Sequence, residues 1–315
     1  MTAGGPEHNE EPGTNVARLS DPRLHSVGDS TPPERTAGGG LSKQSLTWVL
    51  VLGLLLGLAA WIAEVDLVAL LSADARRQMW SFIADGIPPN VSREYLLGRT
   101  LRDGLLWAAV ETVAISIVGI VLAVGLAIPL ALVGAANVTH RGPLYDRSSP
   151  TTRYVGLALH RIARGVLSFL RSVPDLVWGF LFVAAIGLGP FAGALAIGIH
   201  NGGVLGKLYA DFLEDTDPLP VEAVYSTGAT RLQTVVHGMV PQITPTLVSY
   251  TLYRWECAIR SATILGFVGA GGLGYYLTIT INRLQYPKLL TAIGAVFVLV
   301  VSCDYLSSRL RAAMV

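Results

Sequence analysis

Charge is the scarcest commodity in this chain. Only 14% of its 315 residues are Asp, Glu, Lys or Arg, where a soluble domain carries about 25%. Hydrophobic residues make up 51%, and the mean hydropathy is +0.51. Together these exclude an ordinary water-soluble domain and point to a membrane. A net charge of +1 leaves no electrostatic footprint for nucleic acid. Cysteine is nearly absent too: Cys257 and Cys303 lie far apart in apolar stretches and read as small core residues, not as a disulfide or a metal site. The histidines (His8, His25, His140, His160, His200 and His237) are scattered without metal-ligand spacing. No Ser/His/Asp set or H-E-x-x-H motif appears, so no catalytic residue and no cofactor is expected. A Walker A loop is missing as well, because Gly206-Lys207 is followed by Leu208 and preceded five positions earlier by Asn201. If ATP drives this protein, another chain hydrolyses it. Nor does an apolar core follow Met1 closely enough for a signal peptide.

Long apolar runs are what the chain does have. Residues 1–42 are rich in Gly, Pro, Ser, Thr and acids and read as a disordered cytoplasmic tail. The first span is Leu46–Ala63, with Trp48 and Trp61 as interface anchors. Residues 64–104, with Pro88-Pro89 and charges of both signs, read as an extracytoplasmic connection, with amphipathic turns such as Asp74–Ile83. From 105 onward a compact membrane domain is expected. Its first helix, Leu105 to about Ala136, exceeds the ~20 residues a bilayer needs and must tilt, kink near Pro129 or project from the membrane. Glu111 in it is either solvated at the interface or a buried partner for an arginine. Arg141, Arg147, Arg153, Arg161, Arg164 and Arg171 face one acid, Asp146, and mark 137–172 as cytoplasmic. Within it Tyr154–Arg171 has the pattern of an amphipathic surface helix. A third span follows from Val173-Pro174 to about Leu188, and a fourth runs on to Leu213. The fourth is lined by Gly193, Gly198, Gly202, Gly203 and Gly206 and carries His200 and Asn201, which must find a partner or a watery path. A fifth span covers Ile243–Phe267 and a sixth Leu289–Leu306, the latter reached by a loop and followed by Arg309 and Arg311. The expected fold is therefore all-α, a polytopic bundle of about six spans with both termini cytoplasmic. The five arginines in 64–104 blur the positive-inside pattern without reversing it.

Between the fourth and fifth spans lies a polar elbow, 217–241. Asp217 can cap a helix with Pro218 or Pro220 in its first turn. Gly228 interrupts the pattern, and Leu232, Val235, Val236, Met239 and Val240 then recur at helical spacing up to Pro241. The stretch resembles the cytoplasmic loop of permease subunits of binding-protein-dependent ABC importers: EAA, three residues, Gly, nine residues, Ile-x-Leu-Pro. Glu222, Ala223, Gly228 and Pro241 fall at matching positions, while Val224, Gly238 and Val240 depart from the pattern. Arg171–His200 and Ser249–Gly274 also resemble the phosphonate-uptake branch of that family. The resemblance spans roughly 103–310 and implies a type I importer fold. It implies a permease role for phosphonate or a related small phosphorus oxyanion, with Glu222, Ala223, Gly228 and Pro241 as the ATPase-coupling residues. The implied partners are a cytoplasmic ABC ATPase dimer, an extracytoplasmic substrate-binding protein and a second permease copy, all around lipid and without nucleic acid. An amino acid or another oxyanion is the alternative cargo. A secondary transporter would need an internal repeat, which is not visible.

The fifth span is the place for chemistry. Arg254, Glu256, Arg260 and Ser261 lie inside it, and charges there cost a few kcal/mol each on insertion scales. Glu256 and Arg260 are four apart and share a helix face, whereas Arg254 points elsewhere. With His200 and Asn201 they form the expected translocation-pathway set, either as a packing network or as a positive patch for an anion. The following Gly269–Gly274 matches G-x-G-x-x-G, but a dinucleotide site needs a preceding strand. After a membrane helix, the glycines are expected to permit a tight bend.

Overall fold

The structure, a computed structural model, describes residues 43–64, 66, 69, 72–100, 103–142 and 149–313. The expected disordered tail 1–42 lies outside them. The chain divides into two units, one ending at Ala69 and one beginning at Leu70. The first contains α1 (Lys43–Ile62), apolar all round, with side chains exposed along its length and Trp48 and Trp61 near its ends. Its mean hydropathy of 2.2 suits a membrane span.

Among the described residues the second unit is also helical and contains no strand. In order come α2 (Ala73–Gly86), α3 (Arg93–Leu97), α4 (Leu105–Gly134), α5 (Ala136–Thr139), α6 (Pro150–Ser172), α7 (Asp175–Ile186) and α8 (Pro190–Glu214). The elbow follows as α9 (Pro218–Ser226) and α10 (Arg231–Thr234), a π-turn Val235–Met239 and α11 (Val240–Gly266). Last are α12 (Gly272–Asn282) and α13 (Tyr286–Ala312). The amphipathic turns expected around Asp74 are α2, whose N-terminus is capped by Ser72 Oγ accepting from Ala75 N at 3.1 Å.

By length and apolarity α1, α4 and α13 suffice to cross a membrane, and α6 with α7 passes only as a pair bent by 87°. The third expected span is thus a 12-residue helix, about 18 Å long, set at a sharp angle to the amphipathic helix before it. Helices α8 and α11 have 25 and 27 residues, enough length to cross. Their glycines and polar side chains lower their hydropathy, so apolarity alone does not flag them. The expected final loop contains a helix, α12.

The packing of α4 on α8 is the centre of this unit. Gly119, Ala123, Ala127 and Ala131 on α4 repeat every four residues, as do Ala194, Gly198, Gly202, Gly206 and Ala210 on α8. Both rows are buried. Small residues at that spacing let two backbones approach closely, the usual route to helix association where apolar burial offers no gain over lipid. The approach is close enough that a Cβ on Gly198 would lie 2.9 Å from Leu122 Cβ.

The glycine run after α11 makes the expected bend. Gly269, Gly271 and Gly272 have φ of +96°, +81° and +66°, and a Cβ on Gly274 would sit 1.9 Å from the Thr263 carbonyl oxygen. Helix α12 can therefore fold back on α11. Its first turn is capped from α4: Glu111 Oε2 accepts from Gly272 N and Thr112 Oγ1 from Leu273 N, each at 2.9 Å. Glu111 is thus neither simply solvated nor an arginine's partner. At the same end, Asn90 N donates to the Pro287 carbonyl at 3.0 Å, Tyr95 OH to the Lys288 carbonyl at 3.0 Å, and Phe82 meets the edge of Tyr286. These contacts hold α2 and α3 on α13.

Candidate functional site

Two places carry the residues singled out in the sequence. The first is the elbow. Asp217 Oδ1 accepts from Leu219 N at 3.0 Å, which starts α9 as expected. Gly228, at φ +87°, follows the end of α9 and donates to the Tyr225 carbonyl at 3.1 Å. Only glycine takes that conformation without strain. Thr230 then begins α10 with a capping box, its hydroxyl accepting from Gln233 N and its N–H donating to Gln233 Oε1.

The continuation differs from expectation. No second short helix ends at Pro241; α10, the π-turn and α11 run on continuously. Proline lacks an N–H and crowds the preceding turn, and the wider turn accommodates it, with Val240 N donating to the Val235 carbonyl. The wide turn also shifts the helix face. Val235 and Met239 are buried, whereas Leu232 and Val236 of the same expected apolar stripe are exposed. Gly238 completes the fold of the elbow, because a Cβ there would lie 3.2 Å from Val221 Cα in the other arm. Val221, Val235 and Met239 pack with Ala135 and Leu213, which seats the elbow on the ends of α4 and α8. Glu222, Ala223, Gly228 and Pro241 remain exposed. With Leu219 and Leu232, exposed by 71% and 66%, they leave a surface of small, apolar and acidic groups open to a partner.

The second place is the contact of α8 with α11. Arg254 donates from Nε and Nη2 to Asn201 Oδ1, at 3.0 and 2.6 Å. Asn201 is 2% exposed, and its own Nδ2 donates to the Ile197 carbonyl at 2.9 Å. Its amide is thereby oriented with the oxygen toward the guanidinium. Arg254 is half-buried, and among the described residues no carboxylate comes within ion-pair distance of it. His200 donates from Nδ1 to the Val173 carbonyl at 2.9 Å, the carbonyl fixing the tautomer and leaving Nε2 as the acceptor in the neutral ring. Ser261 is half-buried on the next turns of α11. Nearby, Tyr209 OH meets Thr251 Oγ1 at 2.5 Å and Trp255 Nε1 donates to Ser116 Oγ at 3.2 Å.

Glu256 and Arg260 do pair, at 3.2 Å, but in a larger network. Glu256 also receives Arg311 at 3.4 Å, and Arg260 approaches Asp304 at 3.8 Å. Asp304 and Arg311 stand seven apart, two turns along one face of α13, so the four groups tie α11 to α13 with balanced charge. Sequence reasoning missed these two although the i, i+7 spacing was legible. It missed equally that Arg164 on α6 holds Asp211 and Glu214 of α8. Six predicted pathway residues thus fall into separate sets. Asn201 and Arg254 are in contact, His200 faces the α6–α7 junction, Glu256 and Arg260 face α13, and Ser261 joins none of these contacts.

Comparison with known proteins agrees with this architecture. The chain belongs to the family of binding-protein-dependent transport system inner membrane components, whose model matches residues 149–314. It is a membrane transport subunit and not an enzyme. It is 34% identical over 265 residues to HtxC, described as a phosphite transport system permease protein, from Stutzerimonas stutzeri, covering 84% of this chain and 85% of that one. It is 33% identical over 253 residues to the phosphate-import permease protein PhnE of Mycolicibacterium smegmatis, covering 80% of this chain and 43% of that one. Among solved structures, a chain of the MetNI methionine ABC transporter in an inward-facing conformation aligns with a TM-score of 0.53. It covers 67% of this chain and 96% of its own, at 20% identity, and shows the fold alone.

Proposed function

We propose that this permease forms the route of a small phosphorus oxyanion through an ATP-driven importer, with Arg254 meeting the anion. The observation that carries the proposal is Arg254 itself. A guanidinium within a spanning helix normally finds a carboxylate or a watery path. This one is held in place by an amide oxygen, which orients it without neutralising it, so charge complementarity is left for an incoming anion. A planar fork also suits tetrahedral oxyanions. Relatives named for phosphite and phosphate transport support the same cargo class. Asn201 serves as the positioning residue, and His200 and Ser261 lie on the same two helices. The network of Glu256, Arg260, Asp304 and Arg311 serves packing.

Coupling falls to the elbow. Glu222, Ala223, Gly228 and Pro241 dock on a cytoplasmic ATPase dimer, a second permease copy completes the pathway, and a binding protein delivers cargo from the opposite side. Both termini are then cytoplasmic. Because the elbow continues into α11 without a break, motion of the ATPase passes directly to the helix that bears Arg254. Differential contacts in the two orientations couple hydrolysis to transport.

The test is uptake of radiolabelled phosphite, phosphate and a simple phosphonate by cells expressing the whole transporter. Arg254→Gln should leave protein abundance unchanged and lower uptake about tenfold or more, the size expected for one lost charge-assisted contact. Arg254→Lys should recover part of it. Undiminished uptake by abundant Arg254→Gln removes the route, and uptake of none of the three phosphorus oxyanions removes the cargo class.

A further inference from the structure

Between the segment after α4, the middle of α6 and the end of α8 lies a cavity of about 450 Å³, lined by none of the coupling or route residues named above. Arg164 forms one wall. It donates from Nε to the Gly134 carbonyl at 2.8 Å, from Nη2 to Glu214 Oε1 at 2.7 Å and from Nη1 to Asp211 Oδ1. Glu214 Oε1 also accepts from Ala136 N at 2.7 Å. Both acids are therefore held on Arg164, which offsets one of their two negative charges. Across from them are His140 and His160, with ring centroids 5.0 Å apart, and Arg141 and Arg161.

The two rings are left wanting. Thr139 Oγ1 donates to the Ala135 carbonyl and so accepts from His140 Nδ1, at 3.2 Å. The free nitrogen of His140 is then Nε2. His160 Nδ1 is buried without a hydrogen-bond partner, a cost unless something fills it. With both rings neutral, Arg141, Arg161 and Arg164 against Asp211 and Glu214 already leave one surplus positive charge. Burial first, then His160 and Arg141, push the His140 pKa below the ordinary histidine range. An anion in the cavity opposes that: it satisfies the surplus and favours the protonated form of His140.

The same helix carries an apolar stripe on its other face. Val155, Leu159, Ile162, Val166 and Phe169 are all exposed on α6 at i, i+4, i+7, i+11 and i+14, a stripe fit to lie on acyl chains. Arg153, His160, Arg164 and Arg171 lie on the opposite face of α6 from that stripe, and Arg161 on its flank.

We propose that this cavity binds a phosphate group, either of an anionic lipid headgroup or of free orthophosphate, held by Arg141, Arg161, His140 and His160. Guanidinium forks and imidazolium N–H groups are the donors such a group takes. The segment bearing His140 also contributes Ala135 and Val138 to the cluster that seats the elbow, so the ligand would sit beside the coupling machinery.

The full chain in phosphatidylcholine nanodiscs tests this in two arms, labelled-orthophosphate binding and the thermal midpoint with phosphatidate added. If free phosphate is the ligand, orthophosphate binds and raises the midpoint without phosphatidate. If a headgroup is the ligand, phosphatidate raises the midpoint and displaces orthophosphate. In either case Arg141→Gln with Arg161→Gln should weaken the effect tenfold or more, and should do so equally in an Arg254→Gln background, from which the proposed route's own share of phosphate binding has been removed. Both arginines are exposed, so the double variant should elute as a single species; failing that, His160→Gln gives the same readout. Absence of both effects in the Arg254→Gln background, or survival of them there in the double variant, would each overturn the proposal.

Discussion

Single residues in this protein are decided by the company they keep across helices. Gly228 has open space around it, with no atom within 4 Å of where a Cβ would stand, yet its φ is +87°. Its requirement is thus conformational. Gly228→Val should cost about 1–2 kcal/mol locally and distort the elbow while the spanning helices stay folded. Coprecipitation of the ATPase should fall at normal permease abundance, with Gly228→Asn losing less, since Asn tolerates this region. Unchanged coprecipitation would remove the elbow's coupling role. Glu256 behaves differently. Its side chain is 12% exposed and faces two arginines, so Glu256→Leu strands both. A loss of about 2–3 kcal/mol is expected, discounted from the fully buried case because Arg260 is 44% exposed. Pairing it with Arg260→Leu should restore only part of the abundance, because Arg311 and Asp304 remain. Full restoration by the double variant would show that α13 takes no part in the network.

Between elements, distance of approach is the controlling quantity. On α8 the glycines sit where α4 leaves no room, so Gly198→Leu should overpack the seam by roughly 1–3 kcal/mol and lower both the thermal midpoint and the yield. Gly125 on α4 provides the contrast. Nothing lies within 4 Å of its would-be Cβ, and Gly125→Ala should be neutral or stabilising by up to about 1 kcal/mol. Equal damage from both substitutions would mean that chain flexibility, not the seam, is what the glycines provide. At the elbow the wide turn plays a comparable part, because it carries Pro241 through a continuous helix and keeps α10 and α11 one mechanical piece.

For the molecule as a whole, the decisive property is orientation. The elbow and the α6 arginines lie at one end of the second unit, and α2 and α3 pack on the start of α13. In a variant lacking Cys257 and Cys303, a cysteine at Thr227 should react only with reagents that enter the cytoplasm. One at Pro88 should react with an impermeant maleimide from outside. Labelling of the Thr227 position from outside would reverse the topology and detach the elbow from any ATPase.

Much of this was legible along the chain, because membranes impose composition. A low charge content and long apolar runs fix an all-helical architecture, since backbone groups in lipid must be satisfied within a segment. The elbow, too, announced itself through local signals: an Asp-Pro start, a lone glycine and a proline at fixed spacing. Glu256 and Arg260 could be paired because four residues make one helical turn. Pairings between helices were not legible. Arg254 meets Asn201, Glu111 caps α12, and Arg164 gathers Asp211 and Glu214, and each depends on which faces the α4–α8 seam and the glycine bend bring together. The half-length of α7, between Pro174 and Gly187 at φ +97°, and the π-turn before Pro241 follow local residues whose effect only the folded backbone displays. Local spacing sets what a helix offers on each face; only packing decides what that face meets.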